Sequence, residues 1–189
     1  MIYRNILTEN KEKVCYITIN RPKQLNALNS VTISELGKAI KIAEEDNTIR
    51  CIILTGFGEK AFVAGADIKE ISSLNKREGE VLARNSQELV FDLLENAKTP
   101  SIAAINGFAL GGGLELAMSC HFRIASENAK MGLPEVSLGL IPGYGGTQRL
   151  ANLVGKGRAL EMITTAGMIT ASEAKEYGLI NHISSKEEL

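Results

Sequence analysis

Three consecutive glycines, Gly111-Gly112-Gly113, separate an apolar run, Ser101 to Asn106, from a second apolar segment, Leu114 to Ser119. The first run has the length of a buried strand and the second that of a short helix. The glycines therefore stand at a strand-to-helix junction. Without a Cβ, a backbone at such a junction can approach another segment or a ligand closely. The first amides of a helix lack intrahelical acceptors and sit at the positive end of its dipole. The junction is either a tight turn with close helix–sheet packing or a site built to receive developing negative charge. Local physics leaves both open.

The same alternation runs through the chain. Val14 to Ile19 is β-branched and aromatic and reads as a strand, which Arg21-Pro22 stops. Ser30 is an N-cap candidate for a helix with Ile33, Leu36, Ile40 and Ala43 on one face. Cys51 to Thr55 reads as a buried strand, followed by a turn at Gly56 and Gly58. A long helix fits Leu82, Leu89, Val90, Leu93 and Leu94. It ends by Thr99-Pro100, because proline disfavours helix at the residue before it. His121 to Ala125 and Leu179 to Ile183 read as strands. Thr170-Ala171-Ser172-Glu173 is a capping box, with Gly178 placed as the C′ residue. Strands alternating with helices predict an α/β fold. A chain of 189 residues suits one domain and is enough to bury a sizeable core.

Composition narrows the function. A net charge of −1 leaves no electrostatic footprint for nucleic acid. With two histidines, His121 and His182, and no CxxC pair, a His/Cys metal cage is not expected. Three cysteines, Cys15, Cys51 and Cys120, are an odd, unpaired set that fits a reducing compartment. Met1 to Asn10 has no signal-peptide apolar region, and no stretch approaches the ~20 apolar residues of a membrane span. The expectation is a cytoplasmic protein with no membrane partner.

Several motifs fail. Gly56-Phe57-Gly58-Glu59-Lys60-Ala61 loosely matches a dinucleotide fingerprint. That reading needs a helix next, and Phe62-Val63-Ala64-Gly65 is small, β-like and glycine-broken. Neither a phosphate-binding GxxxxGK[ST] loop nor a GxSxG nucleophile elbow occurs.

Two carboxylates remain. Glu115 follows the triple glycine, where an acid in a helix's first turn is either structural or catalytic. Glu135, in Gly132-Leu133-Pro134-Glu135, precedes a largely apolar stretch reaching Ile141. It is either an exposed loop acid or a desolvated carboxyl with a raised pKa. A third glycine-rich turn, Pro142-Gly143-Tyr144-Gly145-Gly146-Thr147, leads into a helix.

Together these segments resemble the crotonase (enoyl-CoA hydratase/isomerase) family. Ala61 to Glu70 is similar to its first signature, Asn106 to Leu116 to its second, and Pro134 to Leu150 to its third. Asn20-Arg21-Pro22, followed by Leu25-Asn26-Ala27-Leu28, is similar to its early segment. The resemblance covers essentially the whole chain in the family's order. It implies a spiral of ββα units and an oxyanion hole made by the amides of Ala66 and Gly112. It implies Glu115 and Glu135 as catalytic residues, with Glu135 protonating Cα and Glu115 holding and activating water. Substrate would be bound by Ala64, Ala66, Asp67, Ile68, Lys69, Gly112 and Gly143. The substrate would be an acyl-CoA thioester, short chains leading, with no metal and no other cofactor. The activity implied is reversible hydration of an enoyl-CoA. The alternatives are an isomerase of the same family, or a non-catalytic chain that binds acyl-CoA or a partner. The family continues past the Leu179–Ile183 strand with a helical region that supports trimers, often paired as hexamers. By the resemblance, residues 1–189 form the core domain, that region is absent or truncated, and the chain is a homo-oligomer.

Overall fold

The computed structural model describes residues 2–189; Met1 lies outside them. The first hairpin joins β1 (Ile6–Lys11) to β2 (Val14–Ile19), antiparallel, with Lys11 opposite Val14. Its two loop residues, Glu12 and Lys13, both have positive φ, 50° and 70°. That is the hairpin turn whose twist matches the strands. Next come α1 (Ser30–Glu45), β3 (Cys51–Gly56), β4 (Ala61–Val63), α2 (Ile68–Ile71) and α3 (Lys76–Ser86). A π-turn (Gln87–Phe91) runs from α3 into α4 (Asp92–Glu95). The chain continues through β5 (Ser101–Ile105), β6 (Phe108–Leu110), α5 (Gly112–Ser119), β7 (Phe122–Ser126) and β8 (Lys130–Gly132). A 3-10 helix (Pro134–Leu138), α6 (Gly146–Val154), α7 (Lys156–Thr165), β9 (Met168–Thr170), α8 (Ala171–Glu176) and β10 (His182–Ser184) complete it.

Six strands form one sheet, in the order β1-β2-β3-β5-β7-β10, and four form a second, β4-β6-β8-β9. Strands β2, β3, β5, β7 and β10 pair in parallel. The chain makes the same circuit three times: a strand in the first sheet, a strand in the second, then helix. β3-β4, β5-β6 and β7-β8 are the three strand pairs, so the expected α/β spiral of ββα units is present. The circuit brings the ends of β4, β6 and β8 side by side, and the helices that follow them start from that edge.

The core is continuous between the sheets and the helices. Every second residue of β2 and β3 is buried: Cys15, Ile17 and Ile19, then Ile52, Leu54 and Gly56. The apolar face expected of α1 is buried at Ile33, Leu36, Ile40 and Ala43. Ile33, Leu36 and Ile40 each contribute about 1.5–3 kcal/mol by leaving water. At Gly37 a Cβ would stand 2.8 Å from the Leu89 carbonyl oxygen, so α1 crosses the π-turn nearly backbone to backbone.

Several boundaries differ from expectation. The N-cap of α1 is Asn29, whose side chain accepts from the Thr32 amide at 2.9 Å. Ser30 instead gives its amide and hydroxyl to Glu70. The long helix breaks into α3, the π-turn and α4. β7 starts one residue later than expected and β10 three residues later. The Thr170–Glu173 capping box is formed as expected, and Gly178 has φ 78°. No helix among the described residues is long and apolar enough to cross a membrane.

Candidate active site

The triple glycine opens α5, and each glycine meets a different constraint. Gly111 has φ 51° and donates its amide to the Gly132 carbonyl at 2.9 Å, tying the start of α5 to β8. A Cβ at Gly113 would collide with the Val63 carbonyl of β4. A Cβ at Gly112 would stand 3.2 Å from two ring carbons of Tyr144 and 3.6 Å from the Ala66 amide nitrogen. Close packing and an open approach are therefore both present, on adjacent residues.

Ala66 reaches this place through a parallel bridge to Leu28. The bridge bonds run from the Leu28 amide to the Gly65 carbonyl and from the Asp67 amide to the Leu28 carbonyl, at 2.9 and 2.7 Å. In a parallel bridge this pattern turns the N–H of Ala66 away from Leu28. Among the described residues no backbone carbonyl accepts from Ala66 or Gly112. Two free amides thus stand close together, one of them at a helix N-terminus. The early segment holds the bridge in place. Asn26 is buried at φ 60° and donates to the Ala61 carbonyl of β4 at 2.8 Å.

Glu115 is 1% exposed. Its Oε1 accepts from the Tyr144 amide at 2.8 Å and the Gly146 amide at 2.7 Å. A Cβ at Gly146 would stand 2.8 Å from that oxygen, so the glycine turn wraps the carboxylate. Burial pushes the Glu115 carboxyl up to about 7. The two amides and the Arg149 cation oppose that rise, and Glu135 adds to it. Glu135 sits on the 3-10 helix. Its Oε2 is buried with no hydrogen-bond partner among the described residues. Burial raises its carboxyl above the usual range. The Gly111 Cβ position would fall 2.9 Å from its Oε1, so Glu135 lies across the start of α5.

These groups share one cavity of about 680 Å³. Of the expected site residues, Ala64, Ala66, Ile68, Gly112, Glu115, Glu135 and Gly143 line it. Asp67 and Lys69 do not, which departs from expectation. The Asp67 carboxylate caps α2 through the Lys69 amide at 3.2 Å and pairs with Arg21 at 2.9 Å. Lys69 is exposed on α2. The cavity also has an apolar wall that single residues did not announce: Ile71 and Leu74 after β4, Leu82 and Ala83 of α3, and Leu140 and Ile141. Tyr144 lines it too, its ring stacked on Phe91 at 4.7 Å. A carboxylate pair, two free amides and an apolar wall suit a substrate with a carbonyl and a short hydrocarbon.

Comparison with known proteins finds relatives across the chain. Residues 9–189 match the family described as enoyl-CoA hydratase/isomerase. The chain is 50% identical over its whole length to a crotonyl-CoA hydratase of Syntrophomonas wolfei, covering 72% of that protein. It is 52% identical to a short-chain-enoyl-CoA hydratase of Clostridium acetobutylicum, again over 72% of the relative. An enoyl-CoA hydratase crystal structure from Bacillus anthracis superposes with TM-score 0.90 at 45% identity, over 97% of this chain and 71% of the other. The chain belongs to the enoyl-CoA hydratase/isomerase family.

Proposed function

We propose that this chain is an enoyl-CoA hydratase that adds water reversibly to a trans-2-enoyl-CoA, giving a 3-hydroxyacyl-CoA. The observation that carries the reading is the convergence of Glu115 and Glu135 on the cavity that holds the Ala66 and Gly112 amides. The relatives named for crotonyl and short-chain substrates support short acyl groups.

The chemistry follows from the two carboxyl environments. Glu115 has one oxygen held by two backbone donors, which favours its ionised form, and its Oε2 carries no hydrogen bond among the described residues. Burial raises both carboxyls, and the proton is assigned to Glu135 because its Oε2 is buried with no partner among the described residues, whereas two amides hold the charge of Glu115. The Glu115 carboxylate takes a proton from water as the water oxygen bonds to Cβ. The C=C electron pair moves toward the carbonyl, and negative charge builds on the thioester oxygen. The Ala66 and Gly112 amides donate to that oxygen; one donor of this kind is worth about 3 kcal/mol. Glu135 then delivers its proton to Cα, and the proton held by Glu115 returns to Glu135 to reset the pair. The thioester is the substrate itself, and these steps call on no cofactor. The same reading places the protein in the cytoplasm as a homo-oligomer, which light scattering would check as a trimeric or hexameric mass.

The test is steady-state hydration of crotonyl-CoA, followed by loss of the enoyl thioester's ultraviolet absorbance. The parent chain is expected to turn over, and Glu115→Gln and Glu135→Gln each to lose about 100-fold or more. An inert, folded parent, or variants that keep their rate, would refute the reading.

A further inference from the structure

Arg149 is 6% exposed on α6, and none of the chemistry described above uses it. Its Nη1 donates to the Tyr144 carbonyl at 2.6 Å. Its Nε and Nη2 donate to Glu95 Oε2 at 3.1 and 2.6 Å, and Nη2 also reaches Asp92 Oδ1 at 3.1 Å. A Cβ at Gly145, which has φ 87°, would collide with the guanidinium. The fork therefore fills the inside of the Tyr144-Gly145-Gly146 turn and bolts it to α4. That turn supplies the two amides bonded to Glu115, the only hydrogen bonds its carboxylate makes among the described residues.

We infer that Arg149 is a positioning residue for Glu115: it holds the Tyr144–Gly146 turn so that both amides stay aimed at one carboxylate oxygen, and it sets the electrostatics of that turn. The inference rests on the hydratase reading for its consequence in turnover, but not for its consequence in the ionisation of Glu115. Planarity matters here, because three separate acceptors are met by one rigid fork, which a lysine ammonium cannot reproduce. Charge matters as well. Asp92 and Glu95 are 41% and 50% exposed at their side chains, so water screens them and they offset the buried cation only in part. The charged and titratable groups facing Glu115 are Glu135 from the 3-10 helix, the Tyr144 phenol from the turn, and Arg149 from α6. Arg149 is the one cation in that set. Removing it leaves Glu115 with a loosened pair of donors and a neighbouring acid.

Two variants separate positioning from bracing. Arg149→Met removes fork and charge; Arg149→Lys keeps the charge and one donor. The first is expected to lower kcat for crotonyl-CoA hydration by about tenfold to hundredfold, with KM within about twofold of the parent. Its acid limb in the pH–kcat profile is expected to move to higher pH. Arg149→Lys is expected to bring the limb back toward the parent while recovering only part of kcat. A residue that merely braces the fold would lower the melting temperature and leave the limb and the folded protein's kcat in place; that result overturns the inference. Carboxyl-carbon NMR titration of Glu115, in the parent and in Arg149→Lys and Arg149→Met, reads the same question without turnover. A Glu115 titration moved upward in Arg149→Met supports the inference even if crotonyl-CoA is not hydrated. An unmoved titration in both variants overturns it, whatever becomes of the hydratase reading.

Discussion

At the scale of single residues, neighbouring positions carry opposite kinds of constraint. Gly113 is glycine because β4 occupies the place of its side chain, and Gly112 is glycine because the Tyr144 ring and the Ala66 amide crowd its place. Gly113→Ala is expected to cost about 1–3 kcal/mol of stability in denaturant unfolding, since backbone must shift. Gly112→Ala, whose Cβ presses on the Tyr144 ring, is expected to cost less stability than Gly113→Ala and to reduce kcat/KM for crotonyl-CoA by about 100-fold. Tyr144 is the second informative residue. Its ring lies between Gly112 and Phe91 and closes the cavity toward the core. Tyr144→Ala should lengthen the acyl pocket and raise the decenoyl-to-crotonyl ratio of kcat/KM by about tenfold. Tyr144→Phe should leave that ratio where it was.

At the scale of elements, the cavity depends on short segments whose ends are pinned. α3 opens with a complete capping box: the Asn75 side chain accepts from Glu78, and Glu78 returns the bond to the Asn75 amide. Asn75→Ala should cost about 1 kcal/mol. Hydrogen exchange should show the loss locally, with faster amide exchange in α3 and unchanged protection in β5.

The longer elements were legible in the sequence because their periodicity had room to show. The periodicity of α1 shows its buried face, though its cap is Asn29 rather than Ser30. Both residues are good caps, and only the tertiary bonds to Glu70 decide between them. β6, β8 and β9 were not legible, since three residues cannot show a period. The β1–β2 hairpin escaped because Glu12-Lys13 carries none of the usual turn residues. The π-turn is invisible to a helical pattern. At the site, the glycines and acids stood out by type and order, whereas Arg149 and Tyr144 act through a turn whose shape no local pattern encodes. Asp67 was expected in the cavity because it stands within a signature, yet a helix cap and Arg21 claim its carboxylate.

At the scale of the whole molecule, the site works against stability. A carboxyl raised from 4.5 to about 7 favours folding only while it is protonated. The contribution of Glu115 is fully present below about pH 4.5 and is lost as pH rises through about 7, on the order of 3 kcal/mol. Gln at that position can accept the same two amide bonds without ionising. Glu115→Gln is therefore expected to melt near the parent at pH 4.5 and several degrees above it at pH 8. Scanning calorimetry across that range is the check. A variant less stable than the parent at pH 8 would mean that the charged form is the one the fold prefers.

In the proposed mechanism Glu115 and Glu135 act on one water and one enolate as a unit. The most direct measurement is kcat for crotonyl-CoA hydration in the parent, Glu115→Gln, Glu135→Gln and the double variant. Each single change is expected to cost about 100-fold or more, and the double variant to be little worse than either. Losses that multiply, or a single variant that keeps the parent's rate, would contradict it.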